Sequence, residues 1–171
     1  RVAVDTSGSP LATLAASLER AAPDLIKPNA EELASITGVT ASDLESAMAE
    51  SNSEPVVYAG KQLVNRGVGA VLATLGGAGA VLVDATGSWL AIPPPIVVRS
   101  TVGAGDSALA GYLRADVLGA DAPEKLRTAV AYGSAAASLP GSAVPSPEQV
   151  DGDAVVVHTL APLPASRQPA N

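Results

Sequence analysis

Ser100-Thr101-Val102-Gly103-Ala104-Gly105-Asp106-Ser107 brings together the residue types that an anion-handling site needs. Gly103 and Gly105 permit backbone angles that a side chain forbids. With only Ala104 between them, nothing bulky shields the backbone N–H groups. Such groups can converge on an anion at the positive end of a following helix. Asp106 falls in the first turn of that helix, where the dipole favours a carboxylate that can accept a proton. A cradle of N–H donors beside a base is the equipment of phosphoryl transfer: charge on the moving group is stabilised, and the attacking hydroxyl is oriented and deprotonated. Two other readings fit the same residues. Asp is a common acidic cap at a helix start, and Gly103-x-Gly105-x-x-Ala108 matches the dinucleotide fingerprint G-x-G-x-x-G/A. That fingerprint belongs to a βαβ unit, whereas the stretch after the first helix, Ala122–Ala137, has a helical pattern again.

Two further clusters carry polar chemistry. In Lys27-Pro28-Asn29-Ala30-Glu31-Glu32, Asn29 and Glu32 stand three residues apart at a helix start, the spacing of a capping box. Thr74-Leu75-Gly76-Gly77-Ala78-Gly79 is a second glycine-rich turn after a strand, and a plain β-turn accounts for it as well. No Walker A motif is present; Gly60-Lys61 is followed by Gln62 and lacks the upstream glycine. Ser134 sits in the small-residue run Gly133–Ala137, which suits close helix packing. The single His158 stands far in sequence from these clusters and takes no role.

The elements that must position these residues follow from periodicity. Arg1–Val4 and Leu25–Lys27 read as short strands, with a helix over Leu11–Leu18 between them. Helices are expected over Glu31–Thr37, in part of Asp43–Glu54, and over Pro55–Arg66, where Pro takes the first position. Ala70–Thr74 reads as a buried strand, and Ala80–Asp84 and Trp89–Ile92 as an antiparallel hairpin about Ala85–Ser88. After the stiff Pro93-Pro94-Pro95, a β-branched run ending at Val98 reads as a strand leading into the glycine turn. Helices are then expected over Asp106–Leu118 and Pro123–Ala137, with a Gly/Pro/Ser loop over Pro140–Pro147. Val155–Leu160 is apolar without a clear period, and 161–171 reads as a disordered tail. Strands alternating with helices indicate an α/β fold with a mostly parallel sheet and ligands at the strand C-terminal ends.

The chain has 171 residues, 47% hydrophobic and 16% charged, enough for one domain with a real core. A net charge of −7 argues against a nucleic-acid partner, and no apolar run is long enough to span a membrane. Without cysteine there is no disulfide or thiolate metal site. With no signal peptide visible, a cytoplasmic protein is expected. Aromatic residues are few (Trp89, Tyr58, Tyr112 and Tyr132), so an adenine would lie between aliphatic surfaces.

Ser-Thr-Val-Gly-Ala-Gly-Asp-Ser resembles the C-terminal signature of the ribokinase-like (PfkB) carbohydrate kinases, and the resemblance runs from about Asp5 to Gly141. It implies the C-terminal, nucleotide-binding part (1–160) of a ribokinase-like three-layer α/β fold. It implies that Gly103, Ala104 and Gly105 form the anion hole and that Asp106 is the catalytic base. Asn29 and Glu32 match the family's Asn-x-x-Glu motif, which orders Mg²⁺ through water. Lys27, Thr74, Gly76, Gly79 and Ser134 match positions that contact ATP. Backbone oxygens near Ser100, Val102, Ala136 and Gly141 match a monovalent-cation site of some members. Asp5-Thr6-Ser7, Ala22–Asn29 and Pro94-Pro95 are most similar to the branch that phosphorylates fructose 1-phosphate to fructose 1,6-bisphosphate. Fructose 6-phosphate and tagatose 6-phosphate are the alternative substrates, and an inactive nucleotide-binding fragment is the alternative of another class. The expected partners are a sugar phosphate and a second copy of the chain. Arg1 in place of Met, and an opening directly on a strand, suggest the C-terminal part of a longer protein.

Overall fold

Three apolar runs set up the parallel part of the sheet: β1 (Ala3–Val4), β2 (Leu25–Ile26) and β3 (Ala70–Thr74). The computed structural model describes residues 1–162, so all but the first two residues of the tail expected over 161–171 lie outside the described residues. β1 pairs parallel with β2 in the register Ala3↔Leu25 and Val4↔Ile26, and β2 pairs parallel with β3, Leu25↔Ala70 and Ile26↔Val71. Parallel neighbours need crossover connections, and helices supply them. Between β1 and β2 run α1 (Gly8–Ala15) and α2 (Leu18–Ala21); between β2 and β3 run α3 (Ala30–Thr37), α4 (Ala41–Ala49) and α5 (Glu54–Asn65). The single helix expected over Leu11–Leu18 is broken. Ser17 turns its hydroxyl back onto the Thr13 carbonyl at 2.9 Å, and its amide bonds Leu14. Such back-bonding competes with the helical ladder.

β4 (Ala80–Asp84) and β5 (Ser88–Ile92) follow. Only three residues join them, which allows an antiparallel hairpin and nothing else. One Asp84 carboxylate oxygen fixes the turn by accepting from the Thr86 amide at 2.7 Å and the Gly87 amide at 3.1 Å. The strand order is β1-β2-β3-β4-β5-β6, with β6 (Val156–Thr159) formed by the apolar stretch whose state the sequence left open.

The chain divides into two compact units. One comprises Arg1–Leu75, Val81–Ser88 and the described residues from Thr159 onward; the other comprises Gly76–Ala80 and Trp89–His158. Leu11, Leu33, Leu44, Leu63 and Leu72 are buried in the interior of the first. The second is built on α6 (Ala104–Val117) and α7 (Ala122–Ala137), which pack along glycine and alanine faces. A Cβ on Gly111 would lie 2.7 Å from the Thr128 carbonyl oxygen, so the two helices meet nearly backbone to backbone there. Lys125 adds an ion pair to Asp116 at 2.7 Å, and the Arg127 guanidinium donates to the Val155 and Gly152 carbonyls. Trp89, on β5, is buried.

The expected strand ending at Val98 does not form: residues 93–103 carry no strand. Three prolines remove the amides a ladder would need. The amides of Arg99 and Ser100 go instead to the Ala137 carbonyl at the end of α7, at 2.9 and 3.3 Å. Val97 and Val98 are left exposed. Among the described residues, no helix is long and apolar enough to cross a membrane.

Candidate active site

The glycine turn opens α6. Gly103 is the N-cap, in the left-handed region at φ 79°, and nothing lies within 4 Å of where its Cβ would be. This conformation strongly favours glycine. The helix begins at Ala104, two residues earlier than expected, so Asp106 lies in the first turn and is exposed. The amides of a first helical turn have no acceptor within the helix. The Ala104 amide is engaged by the Thr101 carbonyl at 3.2 Å, a long bond that closes the turn. The Ser100 hydroxyl accepts from the Val102 amide at 3.2 Å. Such a helix start can take an anion on its N–H groups and present a carboxylate beside it.

The same unit gathers other predicted residues. The Ala137 bonds to Arg99 and Ser100 bring the segment carrying Ser100 to the end of α7, which carries Ser134 and Ala136. The Ala136 carbonyl accepts from the Leu139 amide at 3.0 Å. Ser134 is half-buried, and Gly141 has φ 62°. Gly76 opens a short 3₁₀ turn, Gly76–Ala78, closed by the Gly79 amide on the Gly76 carbonyl at 3.1 Å. Gly79 has a structural requirement of its own: φ is 99°, and a Cβ there would stand 1.9 Å from the Ala91 oxygen.

In the other unit, strand ends assemble the second group. The Thr74 amide bonds the Pro28 carbonyl at 2.9 Å, and Asn29 and Thr74 form a parallel bridge, so Thr74 lies beside the Lys27–Glu32 segment. Asn29 caps α3. Its side chain accepts from the Glu32 amide, and its own amide donates to Glu32 Oε2, both at 2.9 Å. The capping box is therefore real, and it orients both side chains at the mouth of β2 and β3. Lys27 is buried, and its Nζ lies 3.0 Å from Asp5 Oδ2. The sequence reading assigned Lys27 and missed this partner. The signal was in the register: Val4 faces Ile26, so the next residues along, Asp5 and Lys27, are neighbours.

The donors suit a cation that keeps its water. Among the described residues no three His, Cys, Asp or Glu side chains gather to enclose a metal ion. One carboxylate with an oxygen already bonded and one amide match Mg²⁺, which often retains several waters.

The pfkB family carbohydrate kinase profile matches residues 1–149. The chain belongs to the pfkB family of carbohydrate kinases. Among its pfkB relatives, the 1-phosphofructokinase of Rhodobacter capsulatus is 41% identical over 165 residues, covering 95% of this chain and 48% of the relative. The chain thus spans about half the length of that curated relative. Among solved structures, the phosphofructokinase-2 of Escherichia coli in complex with substrates and products superposes with a TM-score of 0.73 at 32% identity, covering 87% of this chain and 45% of that one. The ribokinase of Thermotoga maritima superposes with a TM-score of 0.61 at 20% identity over 74% of this chain and 40% of that one, and so shares the ribokinase-like α/β fold.

Proposed function

We propose that these residues are the nucleotide-binding and catalytic part of a sugar-phosphate kinase. It transfers the γ-phosphoryl group of ATP to the 6-hydroxyl of fructose 1-phosphate, giving fructose 1,6-bisphosphate and ADP. One observation carries the reading: a left-handed glycine N-cap opens α6 with Asp106 exposed in its first turn. The substrate choice rests on the likeness to the 1-phosphofructokinase of R. capsulatus.

The chemistry balances on this chain's own groups. The sugar hydroxyl oxygen forms the new bond to the γ-phosphorus while the bond to the β,γ-bridging oxygen breaks and ADP leaves. The hydroxyl proton passes to the Asp106 carboxylate. The N–H groups of Gly103 and Gly105 take the charge on the transferring group, joined by Ala104 where its long bond to Thr101 is shared. Within the unit that carries α6, Gly76, Gly79 and Ser134 are assigned to ATP; within the other unit, Thr74 and Lys27 are. Asn29 and Glu32 would hold Mg²⁺ through its waters, and the metal when bound would supply charge neutralisation of the phosphates. Backbone oxygens near Ser100, Val102, Ala136 and Gly141 would hold a monovalent cation. The assembly expected is a homodimer, which sedimentation of the gene product tests.

The deciding experiment assays the complete gene product that carries these residues, with MgATP and a panel of fructose 1-phosphate, fructose 6-phosphate and tagatose 6-phosphate. Fructose 1-phosphate is expected to give the highest kcat/KM. A higher value with either 6-phosphate overturns the substrate, and no turnover with any of them overturns the kinase reading.

A further inference from the structure

We propose that α7 is the template on which the anion turn is set, with Gly133 as its positioning residue; this deepens the kinase reading above and rests on it. Two independent contacts carry the inference, one helical turn apart on the same helix face. At Ala137, the carbonyl accepts from the amides of Arg99 and Ser100 and fixes the chain where it enters the turn. At Gly133, the bare Cα faces α6: a Cβ there would lie 3.3 Å from the Ala104 oxygen and 3.3 Å from the Ala108 Cβ. Ala104 is the first residue of α6 and the middle of the Gly103-Ala104-Gly105 turn. No strand ladder supports residues 93–103, so these contacts join the turn's own bonds, Val102 amide to Ser100 hydroxyl and Ala104 amide to Thr101 carbonyl, in fixing the segment. At 3.3 Å an added methyl group cannot be absorbed without displacement. What yields is the helix start, whose first amides have no acceptor within the helix, rather than α7, where Gly133 stands more than a turn inside the C-terminal end. A donor set aimed at a developing charge loses its effect when it is displaced, even slightly.

The position therefore constrains rate through geometry while touching no substrate. In the complete gene product, Gly133→Ala is expected to shift the amide resonances of Gly103, Ala104 and Gly105 and to lower kcat about tenfold. KM for the sugar phosphate should stay within about twofold, since the turn acts on the transition state. Val130→Ala is the structural control: it opens a cavity at a buried site one turn earlier on α7. It is expected to lower the melting temperature as much or more, with those resonances and kcat as in the wild type. Ala108→Gly added to Gly133→Ala removes one of the two opposing groups, the Ala104 oxygen remaining, and is expected to recover part of the lost kcat. If Gly133→Ala does not fold, that double variant carries the comparison. Unmoved amide resonances, a kcat within about twofold of wild type, or an equal loss in Val130→Ala overturns the positioning role. Failure of the kinase reading is separate, because it is read from the wild type alone as an absence of turnover.

Discussion

Asp106 and Glu32 are both first-turn carboxylates, yet their surroundings differ. Asp106 is exposed beside a turn of N–H groups; Glu32 spends one oxygen on the amide of its own N-cap. Asp106→Asn keeps the shape of the helix start. It is expected to leave the melting temperature within a few degrees and to lower kcat of the gene product by roughly 10²–10⁴-fold. Near-wild-type turnover would remove Asp106 from the chemistry. For Glu32 two variants separate the two jobs. Gln at this position still accepts from the Asn29 amide, as capping boxes of either residue do. Glu32→Gln should therefore melt like the wild type but need more Mg²⁺ for half-maximal rate, whereas Glu32→Ala should also lose about 1 kcal/mol of stability. An unchanged Mg²⁺ titration in both would leave Glu32 a cap and nothing more. The sequence made the placement of these residues legible because a helix start depends on near neighbours along the chain. The Asp5–Lys27 ion pair and the contact of Gly133 with Ala104 join residues more than twenty positions apart, and spacing along the chain does not reveal such pairs.

At the scale of elements, the strongest constraint falls on the turn between β3 and β4. Gly79 combines a left-handed backbone with a carbonyl oxygen standing where its Cβ would be. Gly79→Ala is expected to cost about 3 kcal/mol or more, read by denaturant unfolding, because a backbone must move to admit the methyl group. A loss below about 1 kcal/mol would show that the hairpin yields there. Periodicity revealed the elements that bury a face: β3, β4, β5, α5, α6 and α7 appear where the apolar pattern puts them, within a residue or two. It failed where composition and hydrogen-bond supply disagree. Ile96-Val97-Val98 has the side chains of a strand, but the preceding prolines offer no donors and the next two amides are taken by α7. Leu11–Leu18 has the spacing of one helix, yet the Ser17 hydroxyl competes for the backbone in its last turn. Val156–Thr159 forms a strand although it is largely exposed, so it carries no alternation to read.

At the scale of the whole molecule, charge comes first. The chain carries −7 at neutral pH with a sequence pI near 4.5. Self-repulsion keeps such chains apart, and it vanishes at the isoelectric point. Turbidity against pH is expected to peak near 4.5; a maximum near neutrality would mean that exposed apolar surface, such as Val97 and Val144, governs association instead. The substrates proposed are anions as well, so the net charge of the chain does not favour their approach. One further property follows from the buried position of Trp89 on β5. It is the chain's sole tryptophan, and it lies in the unit that carries the anion turn. Its fluorescence is therefore an optical reporter of its own buried surroundings, free of any second indole. Loosening of the Trp89 surroundings would red-shift the emission while the other unit, which holds Tyr58 and no indole, stays dark at that wavelength.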